Sequence, residues 1–246
     1  LKYMPEIFPV QWYASLVTLP GRAEHPDDVR SFNANGKPSG KGAAACNLNP
    51  FHPEVQKMWI NGLGELSDKL RDCKSFLGVS IRANVWQFRG DFTLPSLGWG
   101  YGDWIIRQFE KDTGINVPGA SDDPERFMTR YEFLTAPEQK ERWVNWRCDR
   151  LLDYHTRLRD RIRGDRDDVK LVFWGSFRSD PIYQVPEDTL TRMRECGVDL
   201  AKIQQAGNIA IMPAARYGSR FTTSATQGIY DGFFDVDAVR TGMGEP

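Results

Sequence analysis

The sequence predicts an α/β protein whose parallel strands form a (β/α) barrel of the TIM type, or part of one, with four to five strands recognisable. Apolar runs such as Val169–Trp174 are continuous, which is typical of strands covered on both faces. Amphipathic stretches lie between these runs, so strands and helices alternate. An open doubly wound sheet is the other architecture with this pattern. The chain has no dinucleotide-binding turn, phosphate-binding loop or nucleophile elbow, and their absence favours the barrel.

The first half of the chain predicts two strands and one helix. An apolar strand covers residues 8–19, and a loop without periodicity follows over 20–50. A helix begins at His52-Pro53-Glu54, where proline at the first turn costs little, and continues to about Asp72. Its apolar stripe has helical spacing: Val55, Met58, Trp59, Leu63, Leu66 and Leu70. A second strand begins at Phe76.

The second half predicts three more helices and two or three strands. Asp103 is read as the N-cap of a helix that ends at Gly114, and 117–125 as a loop. The longest helix runs from Pro137 to about Arg163, with a charged face read as solvated. Its apolar face carries Trp143, Trp146, Leu151, Tyr154, Leu158 and Ile162. The remaining predicted elements are a strand at 169–174, a helix at 186–196, a strand at 208–212 and a candidate strand at 229–234.

Composition narrows the class of protein. The 246 residues are 40% hydrophobic and 26% charged, which is ordinary for a globular domain, and we expect a single domain over residues 1–246. A net charge of −1 gives no reason to expect a nucleic acid or an anionic membrane surface as partner. No apolar run approaches the roughly 18 residues of a membrane span. The start, LKYMPEIFPV, is neither an initiator Met nor a signal peptide, so we expect a processed, trimmed or partial chain.

Cysteine and histidine give no local metal motif. The four cysteines form no CxxC pair and are expected to be buried free thiols: Cys46, Cys73, Cys148 and Cys196. The three histidines, His25, His52 and His155, are equally scattered, so no metal and no cofactor is expected. A metal site assembled from distant residues stays open.

Aromatic and hydrogen-bonding residues recur where the strands are predicted to end. In parallel α/β folds the carboxyl ends of the strands hold the ligand site. Such a lining suits a neutral, hydroxyl-rich or anionic ligand, and flat rings stack on the apolar faces of sugars. The alternative is that these residues are strand-end caps with their polar tips in water. The candidate ligand-binding residues are Trp12, Arg82, Asn84, Trp86, Trp174, Arg178 and Arg216.

Four segments together resemble the glycosidase-type (β/α) barrels related to family 42 β-galactosidases and family 10-like hydrolases, and their uncharacterised bacterial cousins in particular. The resemblance spans residues 47–220, and FEKDTGINVP is its most specific piece. The segments are NPFHPEVQKMWINGLGELSDKL, FLGVSIRANVWQF, GYGDWIIRQFEKDTGINVP and RWVNWRCDRLLDYHTRLRDRI. The resemblance implies a carbohydrate ligand and a retaining mechanism, with the acid/base after the fourth strand and the nucleophile after the seventh. The related enzymes are often exported, but nothing within these residues shows export, so the compartment stays open.

The chain departs from that family pattern at the acid. When the family's Asp-Asn-Glu is aligned with GVSIRAN, Asn84 occupies the position of the glutamate. An amide cannot donate a proton as a carboxylic acid does. The nearest acids are Asp91, Asp103, Asp180, Asp231 and Asp235. We take Asp91 and Asp103 as the catalytic candidates; the alternatives are a loop residue for Asp91 and a helix cap for Asp103. Three hypotheses remain: a glycoside hydrolase acting on an oligo- or polysaccharide, a catalytically silent glycan-binding barrel, and a metal-dependent hydrolase, which the scarcity of histidine disfavours.

Overall fold

A computed structural model describes residues 2–7, 29–38, 48–82, 91–175 and 186–213, with the backbone alone at 82, 174–175, 186–189 and 212–213. The elements alternate as the sequence predicts. In chain order they are β1 (Glu6–Ile7), α1 (Pro53–Leu70), β2 (Gly78–Arg82), α2 (Asp103–Thr113), α3 (Arg126–Thr135), α4 (Pro137–Arg163), β3 (Lys170–Gly175), α5 (Pro186–Glu195), α6 (Leu200–Ala206) and β4 (Ile209–Pro213).

The four strands in the described part of the chain form one parallel sheet in the order β1-β2-β3-β4. Ile81 pairs in register with Phe173, and Phe173 pairs with Ile211. The α/β class with parallel strands is therefore confirmed. A closed barrel is not seen within the described ranges and stays a prediction, as does the single domain over residues 1–246. The strands predicted at 8–19 and 229–234 lie outside the described residues.

One face of this sheet packs against helices because alternate strand residues are large and apolar. Val79 and Ile81 of β2 pair with Leu171 and Phe173 of β3, and all four are buried in the main apolar cluster. Of the residues that alternate with them, Ser80 is only partly buried, and Val172 is buried but lies outside that cluster. The period of two along each strand thus fixes which face meets the helices.

Helix α1 begins where the sequence predicts and ends two residues earlier than expected. Pro53 occupies the first turn, and Nδ1 of His52 accepts a hydrogen bond from the Glu54 backbone N–H at 3.3 Å. Trp59 and Leu63 of its stripe are fully buried. The six predicted apolar residues of α4 are buried as well, so the sequence identified the core faces of both helices.

Polar contacts hold α1 against α4. Arg161 donates two hydrogen bonds to Asp68, at 2.9 and 2.5 Å, and Arg157 donates to the Gln56 side chain at 2.5 Å. Ser67 donates its hydroxyl to the Ile162 carbonyl. The guanidinium groups of Arg161 and then Arg71 hold the pKa of Asp68 well below its usual range. Charged residues of α4 therefore bind α1 through hydrogen bonds and ion pairs.

Two expectations about helices were wrong, and two helices were missed. Helices α3 and α6 were not predicted: α3 follows a loop-like DDPE segment, and α6 has only seven residues. Asp103 is the first residue of α2, and Gly102 is its N-cap, so the Asp103 side chain does not cap the helix. Arg147, on the α4 face read as solvated, is 0% exposed, and it donates to the carbonyls of Ser96 and Trp99.

The length of α4 indicates on which side of the sheet the segment that joins β2 to α4 lies. Its 27 residues span about 40 Å, whereas the six residues of β3 span about 20 Å. Just beyond the C-terminal end of α4, Arg166 binds carbonyl oxygens near the start of β2, including that of Phe76. The other half of α4 packs against α2, where Trp146 Nε1 donates to Asp112 at 2.7 Å. Residues 91–135 therefore lie on the side of the sheet where its strands end.

Candidate functional site

Two of the predicted ligand-binding residues occupy neighbouring strand ends. Arg82 ends β2, Trp174 is the penultimate residue of β3, and the two are register partners. Their Cα positions alternate with those of Ile81 and Phe173, which face the helices. The other five predicted ligand-binding residues lie outside the described residues: Trp12, Asn84, Trp86, Arg178 and Arg216.

The strand order also bears on Asn84. The family pattern laid on GVSIRAN belongs to a fourth strand, whereas β2 is second in the described sheet, directly beside β1. A strand's number within the described sheet does not by itself give its number in a barrel, and Asn84 lies outside the described residues, so its place at the acid position stays a prediction.

Asp91 is buried between the helices and the sheet. Its exposed fraction is 0%, and Oδ2 accepts a hydrogen bond from Trp59 Nε1 at 3.0 Å. The next residue, Phe92, packs its ring between Trp59 at 4.9 Å and Phe173 at 5.9 Å, centroid to centroid. Asp91 thus belongs to a packed polar pocket behind β2 and β3, at the start of the segment that follows β2.

Two titratable residues of α4 share this pocket. Burial raises the pKa of Tyr154 well above its usual value, and the nearby Asp91 carboxyl raises it further. Burial lowers the pKa of His155 to about 4, so the imidazole is neutral at pH 7. A hydrogen bond of 2.8 Å joins His155 Nε2 to the Phe92 carbonyl, so this nitrogen carries the proton. Within the described residues, Tyr154 Oη and His155 Nδ1 have no hydrogen-bond partner.

Asp103 has a different environment, at the first turn of α2. Its side chain is 27% exposed, and Oδ1 lies 2.7 Å from Arg130 and 3.3 Å from Arg126. Arg130 is 3% exposed, and its other donors reach the Gly119 carbonyl, at 2.8 and 3.2 Å, and the Tyr101 carbonyl, at 3.0 Å. A single guanidinium therefore ties together the start of α2, the loop before it and the loop after it.

A cleft of about 660 Å³ opens beside Asp103. We call it the α2 cleft; it lies between α2, the loop 116–121 and α3. Glu110 Oε1 accepts from the Val117 backbone N–H at 2.9 Å, which fixes the loop to α2. The lining of the α2 cleft includes charged, polar and apolar residues: Asp103, Ile106, Arg107, Glu110, Asn116, Val117, Pro118, Gly119, Ala120, Ser121, Arg130 and Phe133.

The two predicted catalytic carboxylates therefore stand in separate surroundings, with no contact residue in common among those described above. Asp103 borders an open cleft, whereas Asp91 is enclosed by side chains. The sequence reading missed Arg130, Arg107 and Glu110 as cleft residues. Glu110 stands in the FEKDTGINVP segment on which the resemblance chiefly rests, so that segment could have drawn attention to it.

The described residues show neither a metal-binding cluster nor a membrane-spanning helix. Over those ranges, no group of three or more His, Cys, Asp or Glu side chains could hold a metal ion. Cys73, Cys148 and Cys196 are free thiols, the last two buried, and Cys46 lies outside the described residues. No helix in the described ranges is both long enough and apolar enough to cross a membrane.

Comparison with known proteins places the fold. No protein-family model and no curated protein matches the sequence. The PgaB (BpsB) glycoside hydrolase domain from Bordetella bronchiseptica is similar in structure, with a TM-score of 0.53 and 16% identity over 86% of this chain. The β-galactosidase of the psychrophilic Marinomonas ef1 gives 0.54 and 11% over 93%, and that of Bacillus circulans sp. alkalophilus gives 0.51 and 13% over 86%.

These likenesses show a glycoside hydrolase-like fold without assigning the chain to one family. The chain spans 51% of the Bordetella domain's chain, and 33% and 30% of the two β-galactosidase chains. It therefore corresponds to about half or a third of each of these structures.

Proposed function

We propose that this chain is a carbohydrate-active protein that hydrolyses glycosidic bonds of an oligo- or polysaccharide on a (β/α) barrel of the TIM type. The observation that carries the proposal is the fold: the consecutive parallel strands β1 to β4 occur in a structure similar to three glycoside hydrolases. The substrate would lie at the carboxyl ends of the strands, where residues 91–135 form one side of the site.

The proposed roles follow from the chemistry of glycosidic bonds. Arg82 and Trp174, at adjacent strand ends, would contact the sugar, the arginine through hydrogen bonds and the tryptophan by stacking. Hydrolysis needs a pair of carboxyl groups across the scissile bond. We propose Asp91 and Asp103 as this pair, because both lie in the segment between β2 and α4.

A catalytically silent glycan-binding barrel is the second candidate, and the environments of the two acids favour it. Asp91 is enclosed and hydrogen-bonded to Trp59, and Asp103 is paired with two guanidinium groups. A carboxyl group that cannot reach the substrate cannot transfer its proton. A barrel with such acids would bind glycans without cutting them.

Hydrolysis of nitrophenyl glycosides and of neutral and uronic-acid oligosaccharides tests the proposal. Asp91→Asn and Asp103→Asn keep the side-chain shape, and each is expected to lower kcat by about 100-fold or more. Asp122→Asn, at an exposed position of the same segment, is the matched control and should retain the wild-type rate. Circular dichroism melting would establish that each variant is folded.

The outcomes separate the two candidates. Wild-type rates in both folded variants would show that the residue assignment is wrong. Glycan binding in calorimetry, without turnover by the wild-type protein, would establish the silent barrel instead. If no glycan binds and none is cut, both candidates fail.

A further inference from the structure

We infer that the α2 cleft is a binding site for a short, neutral oligosaccharide. The inference rests on the proposed function, because Asp103 belongs both to the cleft and to the proposed catalytic pair. It goes further by placing a ligand on α2 and the loop 116–121 and by naming the charge of that ligand.

The walls of the cleft are already held in place. Arg130 joins Asp103 on one wall to the Gly119 carbonyl on the other, and Glu110 joins α2 to Val117. The guanidinium of Arg130 is almost fully buried, so these contacts are shielded from water. A cleft fixed before binding loses little conformational entropy when a ligand enters.

The charges lining the cleft balance. The lining contains two carboxylates, Asp103 and Glu110, and two guanidinium groups, Arg107 and Arg130. A uronic acid or an amino sugar would find no excess of the opposite charge to offset the loss of its hydration. Hydroxyl groups suit such a lining better, because each can donate to a carboxylate oxygen and accept from a guanidinium N–H.

Apolar surface lies beside these polar groups. Ile106, Val117, Pro118 and Phe133 line the same cleft and can pack against the C–H faces of a sugar ring. The volume of about 660 Å³ falls within the range of roughly 300–1,000 Å³ that is usual for small-molecule sites. The combination of charged hydrogen-bonding groups with a partly buried aromatic ring distinguishes the cleft from a purely solvated surface.

The experiment is a titration of the ¹⁵N-labelled full chain with cellobiose, lactose and maltose, followed by two-dimensional NMR. Backbone amides of Asn116, Gly119 and Ser121 are expected to shift and saturate with at least one of these sugars. Arg107→Gln and Asn116→Ala should each raise the Kd by about 5-fold or more, which is the loss of roughly one hydrogen bond. Arg142→Gln, at an exposed position on α4 outside the cleft, should leave the Kd unchanged.

Matched disaccharides that contain glucuronic acid or glucosamine test the charge argument. They should bind at least several-fold more weakly than the neutral sugars, and tighter binding by either would overturn the inference. Absence of any shift in the cleft amides with neutral sugars would overturn it too, even if the protein hydrolyses glycosides, in which case the proposed function stands. Shifts in the cleft without hydrolysis would support the inference and count against the hydrolytic function alone.

Discussion

Trp59 is fully buried on α1, and its indole N–H donates to Oδ2 of Asp91, 32 positions later in the sequence. The indole also packs against Phe92. One side chain thus supplies apolar area to the helix–sheet interface and a donor to a buried acceptor. Such a donor matters because a buried acceptor without its partner has neither a hydrogen bond nor hydration, and this destabilises the folded state.

Replacement of Trp59 by phenylalanine tests these two contributions together. Trp59→Phe keeps an aromatic ring but removes the donor and leaves a void, so we expect unfolding to require roughly 2–4 kcal/mol less than in the wild type. Urea denaturation followed by circular dichroism measures this change. The control is Trp104→Phe on α2, where the ring is only partly buried, and a smaller loss of roughly 1 kcal/mol is expected. Equal losses in the two variants would show that the Asp91 contact contributes little.

Side-chain roles were less predictable than burial at this scale. The period of 3.6 residues identified Trp59 and the aromatic face of α4, since burial of large apolar residues follows from spacing alone. The roles of Arg147 and Arg130 depend on carbonyl oxygens of Trp99, Tyr101 and Gly119, which folding brings close. No local pattern in the sequence encodes such contacts, so the sequence alone does not distinguish a buried arginine from a solvated one.

At the scale of elements, β2 begins at a residue that only glycine can fill. Gly78 has a φ of 130°, and a Cβ built there would lie 1.9 Å from the carbonyl oxygen of Lys170 on β3. The clash is with backbone, so no side-chain rotation relieves it. The pairing of β2 with β3 therefore requires glycine at this position.

We expect Gly78→Ala to destabilise the protein by more than about 3 kcal/mol, because it adds a backbone clash to an unfavourable φ. Gly114→Ala is the matched control: its φ is 71°, but no atom lies within 4 Å of the added Cβ, and about 1 kcal/mol is expected. Thermal unfolding of both variants measures the difference. If the two substitutions cost the same, close approach of β2 and β3 at Gly78 is not what selects glycine.

The sequence predicted the strongly periodic elements and missed the weak ones. Helices α1, α2, α4 and α5 and strands β2, β3 and β4 were confirmed within a few residues, because each has a clear period or a terminal proline or glycine. Helix α3 was missed because polar and apolar residues mix in RFMTRYEFLT, and its stability comes from burying Phe127 and Leu134 against neighbouring elements. For the site, the sequence placed Arg82 and Trp174 at strand ends, but the α2 cleft needs α3 and could not be found without it.

Helix α4 connects the parts of the molecule that the structure describes. It contacts α1, α3, β2, β3 and β4, and it reaches from the start of β2 to the segment that carries the α2 cleft. In its middle, His155 packs against Phe173 of β3 with 4.5 Å between ring centroids. A titratable group at the centre of the packing makes the stability of the whole fold depend on pH.

That dependence has a definite sign. Burial lowers the pKa of His155 to about 4 in the folded chain, against an ordinary value of 6.5. Between these two values the unfolded chain binds a proton that the folded chain does not, so the free energy of unfolding rises with pH across this window and falls as the pH drops. The full effect is about 3 kcal/mol and is complete below pH 4. Above pH 6.5 the imidazole is neutral in both states and contributes no slope.

Urea denaturation at intervals from pH 7.5 to pH 4 measures the slope for the wild type and for His155→Gln. The glutamine amide can still donate to the Phe92 carbonyl but does not titrate, so the variant should lose less stability than the wild type between pH 6.5 and pH 4, by about 3 kcal/mol. Carboxylate titrations contribute to both proteins and cancel in the difference. Parallel curves for wild type and His155→Gln would mean that His155 is protonated in the folded protein as readily as in the unfolded chain, and that its burial does not control the acid stability of this fold.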